Sequence, residues 1–139
     1  MRFISTLLFA FIIYEAVNIA NTRDWNYIHV IAKVLCNGVP ISPYWIEVRA
    51  RSLVFHGRRL LDIQTNNGQI NETIFFYATP FSSPQILLNF FKQPCGCPKG
   101  FKVATEYSPE RLTFLNPAEA FNNPWFLGLI DLQKLCGLA

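Results

Sequence analysis

The chain has 139 residues, of which 51% are apolar and 15% aromatic, and a formal net charge of +3. That length gives one domain and leaves no room for a second core. So small a charge, spread along the chain, excludes the footprint of a nucleic-acid binder.

Arg2 precedes an apolar run from Phe3 to Tyr14, and small residues follow at Ala16 and Ala20. This is the layout of a secretory signal peptide. The run of about 12 residues falls short of the ~20 that a membrane-spanning helix needs. Residues 1–20 are therefore read as a signal peptide and 21–139 as the mature domain. Charges and prolines interrupt every later apolar stretch, so no transmembrane segment is expected.

Tyr27 to Cys36 alternates, with Ile28, Val30, Ala32 and Val34 on one face and His29, Ile31, Lys33 and Leu35 on the other, which predicts a strand. Asn37-Gly38-Val39-Pro40 ends it with turn residues. Trp45 to Val54 is the next strand, its wet face carrying Glu47, Arg49 and Arg51. Phe55 to Arg59 reads as a connection and Leu60 to Thr65 as a short strand. Asn66-Asn67-Gly68 is a hairpin signal, since Asn and Gly tolerate positive φ. Further strands are expected over Ile70–Thr79, Gln85–Lys92, Phe101–Tyr107, Arg111–Phe114 and Phe126–Leu135, with one helical turn around Ala118 to Phe121. Seven or eight strands with turns at short intervals predict an all-β, two-layer antiparallel sandwich.

Four cysteines, Cys36, Cys95, Cys97 and Cys136, remain in the mature chain. An even count in a short exported protein predicts two disulfides. Bridging Cys95 to Cys97 would strain a tight ring, so one of them is expected to join Cys36 and the other Cys136, in either connectivity. Cys-x-Cys lacks histidines at ligand spacing, and no metal is expected. Asn71-Glu72-Thr73 is a glycosylation sequon in an exported chain.

Catalytic signatures are missing. Neither a nucleophile elbow, a phosphate-cradling glycine loop nor clustered carboxylates occurs, and no cofactor motif is present. His29 reads as a partly buried strand residue and His56 as a solvated loop residue. The remaining chemistry lies in Arg49, Arg51, Arg58 and Arg59, which would form a cationic surface if their two segments pair. Guanidinium groups so arranged attract phosphate, sulfate or anionic headgroups.

Val34-Leu35-Cys36-Asn37-Gly38-Val39-Pro40, Leu60-Leu61-Asp62, Thr65-Asn66-Asn67-Gly68-Gln69-Ile70, the cysteine loop, and Leu127-Gly128-Leu129-Ile130-Asp131-Leu132 follow one another along the chain. In this order the motifs resemble the nematode transthyretin-like family of secreted proteins. The chain departs from the family where arginines replace aspartates before Leu60, where Ile70 replaces a Phe, and where Asn89-Phe90-Phe91 replaces a region with a His. The resemblance implies a transthyretin-like sandwich of two antiparallel sheets whose last strand runs opposite to the first. Cys136 would then need a returning tail, with an intermolecular bond as the alternative and monomer or dimer left open. The related hydroxyisourate hydrolases end in Tyr-Arg-Gly-Ser, whereas this chain ends Leu135-Cys136-Gly137-Leu138-Ala139. The expectation is a secreted, non-enzymatic binding or bridging protein whose partner is an extracellular protein or an anionic membrane surface. Alternatives are a structural or matrix-associated protein, and a carrier holding an apolar ligand between the sheets near Phe75, Tyr77 and Phe90.

Overall fold

The computed structural model describes residues 24–41, 45–52, 57–78, 82–90, 94–97 and 103–136. The expected signal peptide and His56 lie outside them. Period-two alternation produces the strands. In chain order they are β1 (Asp24–Cys36), β2 (Val39–Pro40), β3 (Trp45–Arg51), β4 (Arg58–Gln64), β5 (Gln69–Ala78), β6 (Gln85–Phe90), β7 (Val103–Ala104) and β8 (Trp125–Asp131). Two short helices follow late in the chain, α1 (Pro117–Asn122) and α2 (Leu132–Leu135). The first four-stranded sheet has β1 paired with β2, β5 and β8; the second has the order β4-β3-β6-β7.

The core lies between the sheets. Ile28, Val30 and Val34 of β1, with Ile70, Ile74 and Phe76 of β5, meet Ile46, Val48 and Ala50 of β3 and Ile86, Leu88 and Phe90 of β6. Every one is buried, and each large apolar side chain removed from water contributes about 1.5–3 kcal/mol. A slip of one residue would turn such a strand inside out, so the alternation also fixes register. Phe90 belongs to this core, while Phe75 and Tyr77 are exposed on the opposite face of β5. The three do not line a common space between the sheets.

Several expectations are corrected. Arg58 and Arg59 stand inside β4, not in a connection. The Asn66-Asn67-Gly68 turn forms, with φ of 53° at Asn67 and 78° at Gly68, yet its flanking strands enter different sheets. The strand expected over Phe101–Tyr107 shrinks to Val103–Ala104 within the described residues. Beyond it, hydroxyls substitute for ladder carbonyls: the Leu88 and Ile86 amides donate to Thr105 Oγ1 and Ser108 Oγ, at 3.0 and 2.9 Å. In place of the Arg111–Phe114 strand there is a 3-10 turn over Glu110–Leu112 and one bridge from Phe114 to Tyr27. The last strand ends at Asp131, whose carboxylate caps α2 by accepting from the Gln133 amide at 3.1 Å.

The largest correction concerns direction. β8 runs parallel to β1, with Val30 opposite Trp125 and Leu35 opposite Asp131. The chain passes Tyr27 antiparallel at Phe114, then α1 packs on the outside of β1 and β5 and reverses it before Trp125. β1 and β8 therefore end at one pole, and Cys136 needs no returning tail. The bridges are Cys36–Cys95 and Cys97–Cys136, with Cα separations of 5.4 and 5.9 Å, and both are intramolecular.

Candidate functional site

The motif residues that stood apart in sequence meet at the disulfide pole. The amides of Asn37 and Gly38 donate to the two carboxylate oxygens of Asp131, each at 3.2 Å. The Val34 amide donates to the Gly68 carbonyl at 2.6 Å, and the Thr65 hydroxyl to the Ile41 carbonyl at 2.8 Å. A Cβ at Gly68 would stand 2.7 Å from the Val34 oxygen, closer than side chains come. These residues hold one another, and the pole is a structural joint.

The arginine cluster is next. Pairing of β3 with β4 sets Arg49 opposite Arg59, with a register shift between Val48 and Arg49. Two cations face to face are destabilising unless an anion intervenes. Glu47 supplies it: Arg49 Nη1 donates to Oε1 at 2.7 Å, and Arg59 Nε lies 3.7 Å from Oε2. Arg49 also donates to the Gly57 carbonyl. Arg59 pairs with Asp62 as well. The hydrogen bond from Arg49 does most to hold the Glu47 carboxyl below its ordinary range. Asn89 and the charges of Arg49 and Arg59 add to this, against the opposing effect of burial. Arg51 points elsewhere, donating to Gln85 at 3.0 Å with its guanidinium 3.7 Å above the Tyr107 ring. The four arginines thus divide. Arg49 and Arg51 are tied into the middle of their own sheet face, while Arg58 and Arg59 stand at its edge, Arg59 there held by Glu47 and Asp62.

At that edge, where β4 approaches β5 of the other sheet, Arg58 and Arg59 line a groove of about 260 Å³ with Trp25, Leu60, Phe75 and Tyr77. Register explains the aromatic side, because Trp25 pairs with Tyr77 and Tyr27 with Phe75. Trp25 stacks on Tyr77 at 3.6 Å between ring centroids and meets Phe75 edge-on at 5.3 Å. They remain 40%, 45% and 54% exposed respectively. Cations beside exposed Trp and Tyr rings offer charge-assisted donors and amphipathic contact area together. Sequence reasoning missed this half of the site. The signal was present: Phe75 and Tyr77 share the strand phase of Asn71 and Thr73, opposite to that of the buried Ile70, Ile74 and Phe76.

His29 is buried, as its strand position suggests. Its ring nitrogens lie 2.7 Å from Thr73 Oγ1 and 2.6 Å from Asn71 Oδ1, and Phe121 of α1 covers it edge-on at 4.9 Å. Because the carboxamide oxygen only accepts, Nε2 is the donor to Asn71. Among the described residues, no helix is long and apolar enough to cross a membrane.

Fold and site together define a disulfide-stapled all-β sandwich with an arginine- and aromatic-lined groove at one edge. No protein-family model, no curated protein and no solved structure matches the chain.

Proposed function

We propose that this is a secreted, non-enzymatic binding protein, a divergent transthyretin-like sandwich that attaches to anionic lipid surfaces through the groove between β4 and β5. One observation carries the reading: Trp25, Phe75 and Tyr77 are stacked and exposed beside Arg58 and Arg59. Trp and Tyr favour the boundary between water and lipid, where one end of the ring is apolar and the other wet. Arginine contributes bidentate donors to phosphate at the same depth. The family reading draws support from the two-sheet sandwich and from the meeting of Val34 with Gly68 and of Gly38 with Asp131 at one pole, while the parallel β1–β8 pair departs from the strand direction the resemblance implies.

Co-sedimentation with vesicles tests it. Binding to phosphatidylcholine vesicles containing phosphatidylserine should exceed binding to phosphatidylcholine alone and weaken as salt is added. An arginine near such a surface contributes about 1 kcal/mol, so Arg58→Ala with Arg59→Ala should cost roughly 30-fold in affinity. Trp25→Ala with Tyr77→Ala should abolish binding to both vesicle types. Equal binding to neutral and anionic vesicles, or none by a folded wild type, would remove the proposal.

A further inference from the structure

A second recess lies on the outer face of the first sheet, some rows along β1 from the groove. It encloses about 390 Å³ and is lined by Ile31, Lys33, Gln69, Asn71, Phe126 and Leu129. Register arranges these side chains in two rows across three strands: Asn71, Ile31 and Phe126 in one, Gln69, Lys33 and Leu129 in the next. Phe126 and Leu129 are 72% and 71% exposed, the most exposed of the large apolar strand residues described. The floor is apolar and the rim carries an ammonium and two carboxamides, a composition suited to a ligand with apolar C–H faces and peripheral hydroxyls.

Asn71 is the acceptor residue of Asn71-Glu72-Thr73, and it is exposed. Its carboxamide is oriented by His29, which holds Oδ1. Nδ2, on the other side of the planar amide, is thereby left clear of His29, and Asn71 stands in the same row as Ile31. We infer that Asn71 carries an N-linked glycan whose first sugars lie across Ile31 in this recess, their C–H faces against Phe126 and Leu129. Attachment transfers an oligosaccharide from a lipid-linked diphosphate donor. The sugar C1–O bond to the diphosphate breaks, a C1–Nδ2 bond forms, the amide loses one proton, and the lipid diphosphate departs. Phe126 stands two strand spacings from Asn71, about 10 Å, a distance that the first two sugars span. A single sugar–ring contact is weak between separate molecules. Tethering at the rim raises its effective concentration to the millimolar range or above. Lys33 and Gln69 supply hydrogen bonds to hydroxyls at the far side.

The inference rests on export, because the donor and its transferase meet only exported chains. The full chain would be expressed in a eukaryotic secretory line, and the intact mass of the product measured before and after removal of N-linked glycans. Wild type and Phe126→Ala would then be compared in urea, each glycosylated and each made with glycosylation inhibited, which keeps Asn71 itself unchanged. The expected result is a secreted, processed chain with one glycan at Asn71. The glycan should lower the unfolding equilibrium constant of wild type roughly three- to tenfold more than that of Phe126→Ala, the scale of one aromatic contact. A glycan trimmed to its first two sugars should retain most of that difference, and one trimmed to the first sugar alone, too short to reach Phe126, should lose it. A chain kept inside the cell with residues 1–20 attached would overturn export and the glycan together. A secreted, processed chain with bare Asn71 would overturn the glycan alone. A glycan with no coupling to Phe126, or self-association of glycosylated wild type that Phe126→Ala abolishes, would overturn its seat in the recess.

Discussion

The two sheets share one core but present opposite outer faces. The β4-β3-β6-β7 sheet carries charge, and its charges answer one another: Glu47 sits between Arg49 and Arg59, Asp62 holds Arg59, and Arg51 lies over Tyr107. The β1-centred sheet carries rings and aliphatic side chains, and many are left to solvent, among them Trp25, Phe75, Tyr77, Phe126 and Leu129. Folding accounts for much of the first face, since Arg49, Arg51 and Arg59 each have a partner or a ring within the domain. It does not account for the second, because exposed apolar area adds nothing to the stability of the isolated chain. The cationic face draws the eye in sequence, yet the apolar face has more to offer a partner. Only at the β4–β5 edge do the two meet.

The most severe way to erase the contrast is to loosen the joint that holds both sheets. Cys97→Ser with Cys136→Ser, or Cys36→Ser with Cys95→Ser, should each cost about 2–5 kcal/mol in urea denaturation, with both faces lost together. A milder cut at the same pole is Gly68→Ala. Positive φ and a Cβ 2.7 Å from the Val34 carbonyl predict a loss of about 1–3 kcal/mol. If either change left the melting temperature where it was, the pole would not be the joint described above.

Much of this arrangement was legible in the residues. The alternation of Ile28, Val30 and Val34 against His29 and Ile31 defined β1 and its buried side, and Ile46, Val48 and Ala50 did so for β3. The cysteine count gave two bridges, and Asn67-Gly68 gave a positive-φ turn. Long-range information was missing. The hairpin signal at Asn66 to Gly68 specified a local backbone, and nothing local says that β4 and β5 enter different sheets. The direction of β8 depends on α1 crossing the outer face, which the Asn116 cap and Pro117 begin but do not aim. The candidate site was legible by half. Arg58 and Arg59 were visible as charge, whereas Trp25, Phe75 and Tyr77 form a cluster only through the β1–β5 register.

Smaller substitutions sharpen the comparison by showing that the charged face is occupied with itself. Arg51→Ala should lower stability by about 1 kcal/mol through loss of the Tyr107 ring contact and the Gln85 hydrogen bond. Arg51→Lys should recover part of this, because an ammonium keeps the charge but not the planar stacking. Neither should alter vesicle binding, since Arg51 lies away from the groove lining. A loss of binding at Arg51 equal to that at Arg58 and Arg59 would mean the whole face acts as one patch, and the contrast between the faces would collapse.

The smallest effect belongs to Glu47→Gln, and its pH dependence is the informative part. The pair energies of partly exposed groups are modest, so about 0.5 kcal/mol is expected at neutral pH. Glu47 is held below its ordinary value of 4.5, first by the Arg49 hydrogen bond. The unfolded chain therefore binds the proton more readily than the folded one. The contribution of the carboxylate is fully present above the unfolded value and is lost as pH falls through the lower folded value. Urea titrations of wild type and Glu47→Gln should run parallel from neutral pH down to about 4.5 and converge below it. A gap that widened toward acid would mean that burial outweighs the arginines at Glu47. Arg49 and Arg59 would then be poorly compensated, and the charged face would be as open to a partner as the apolar one.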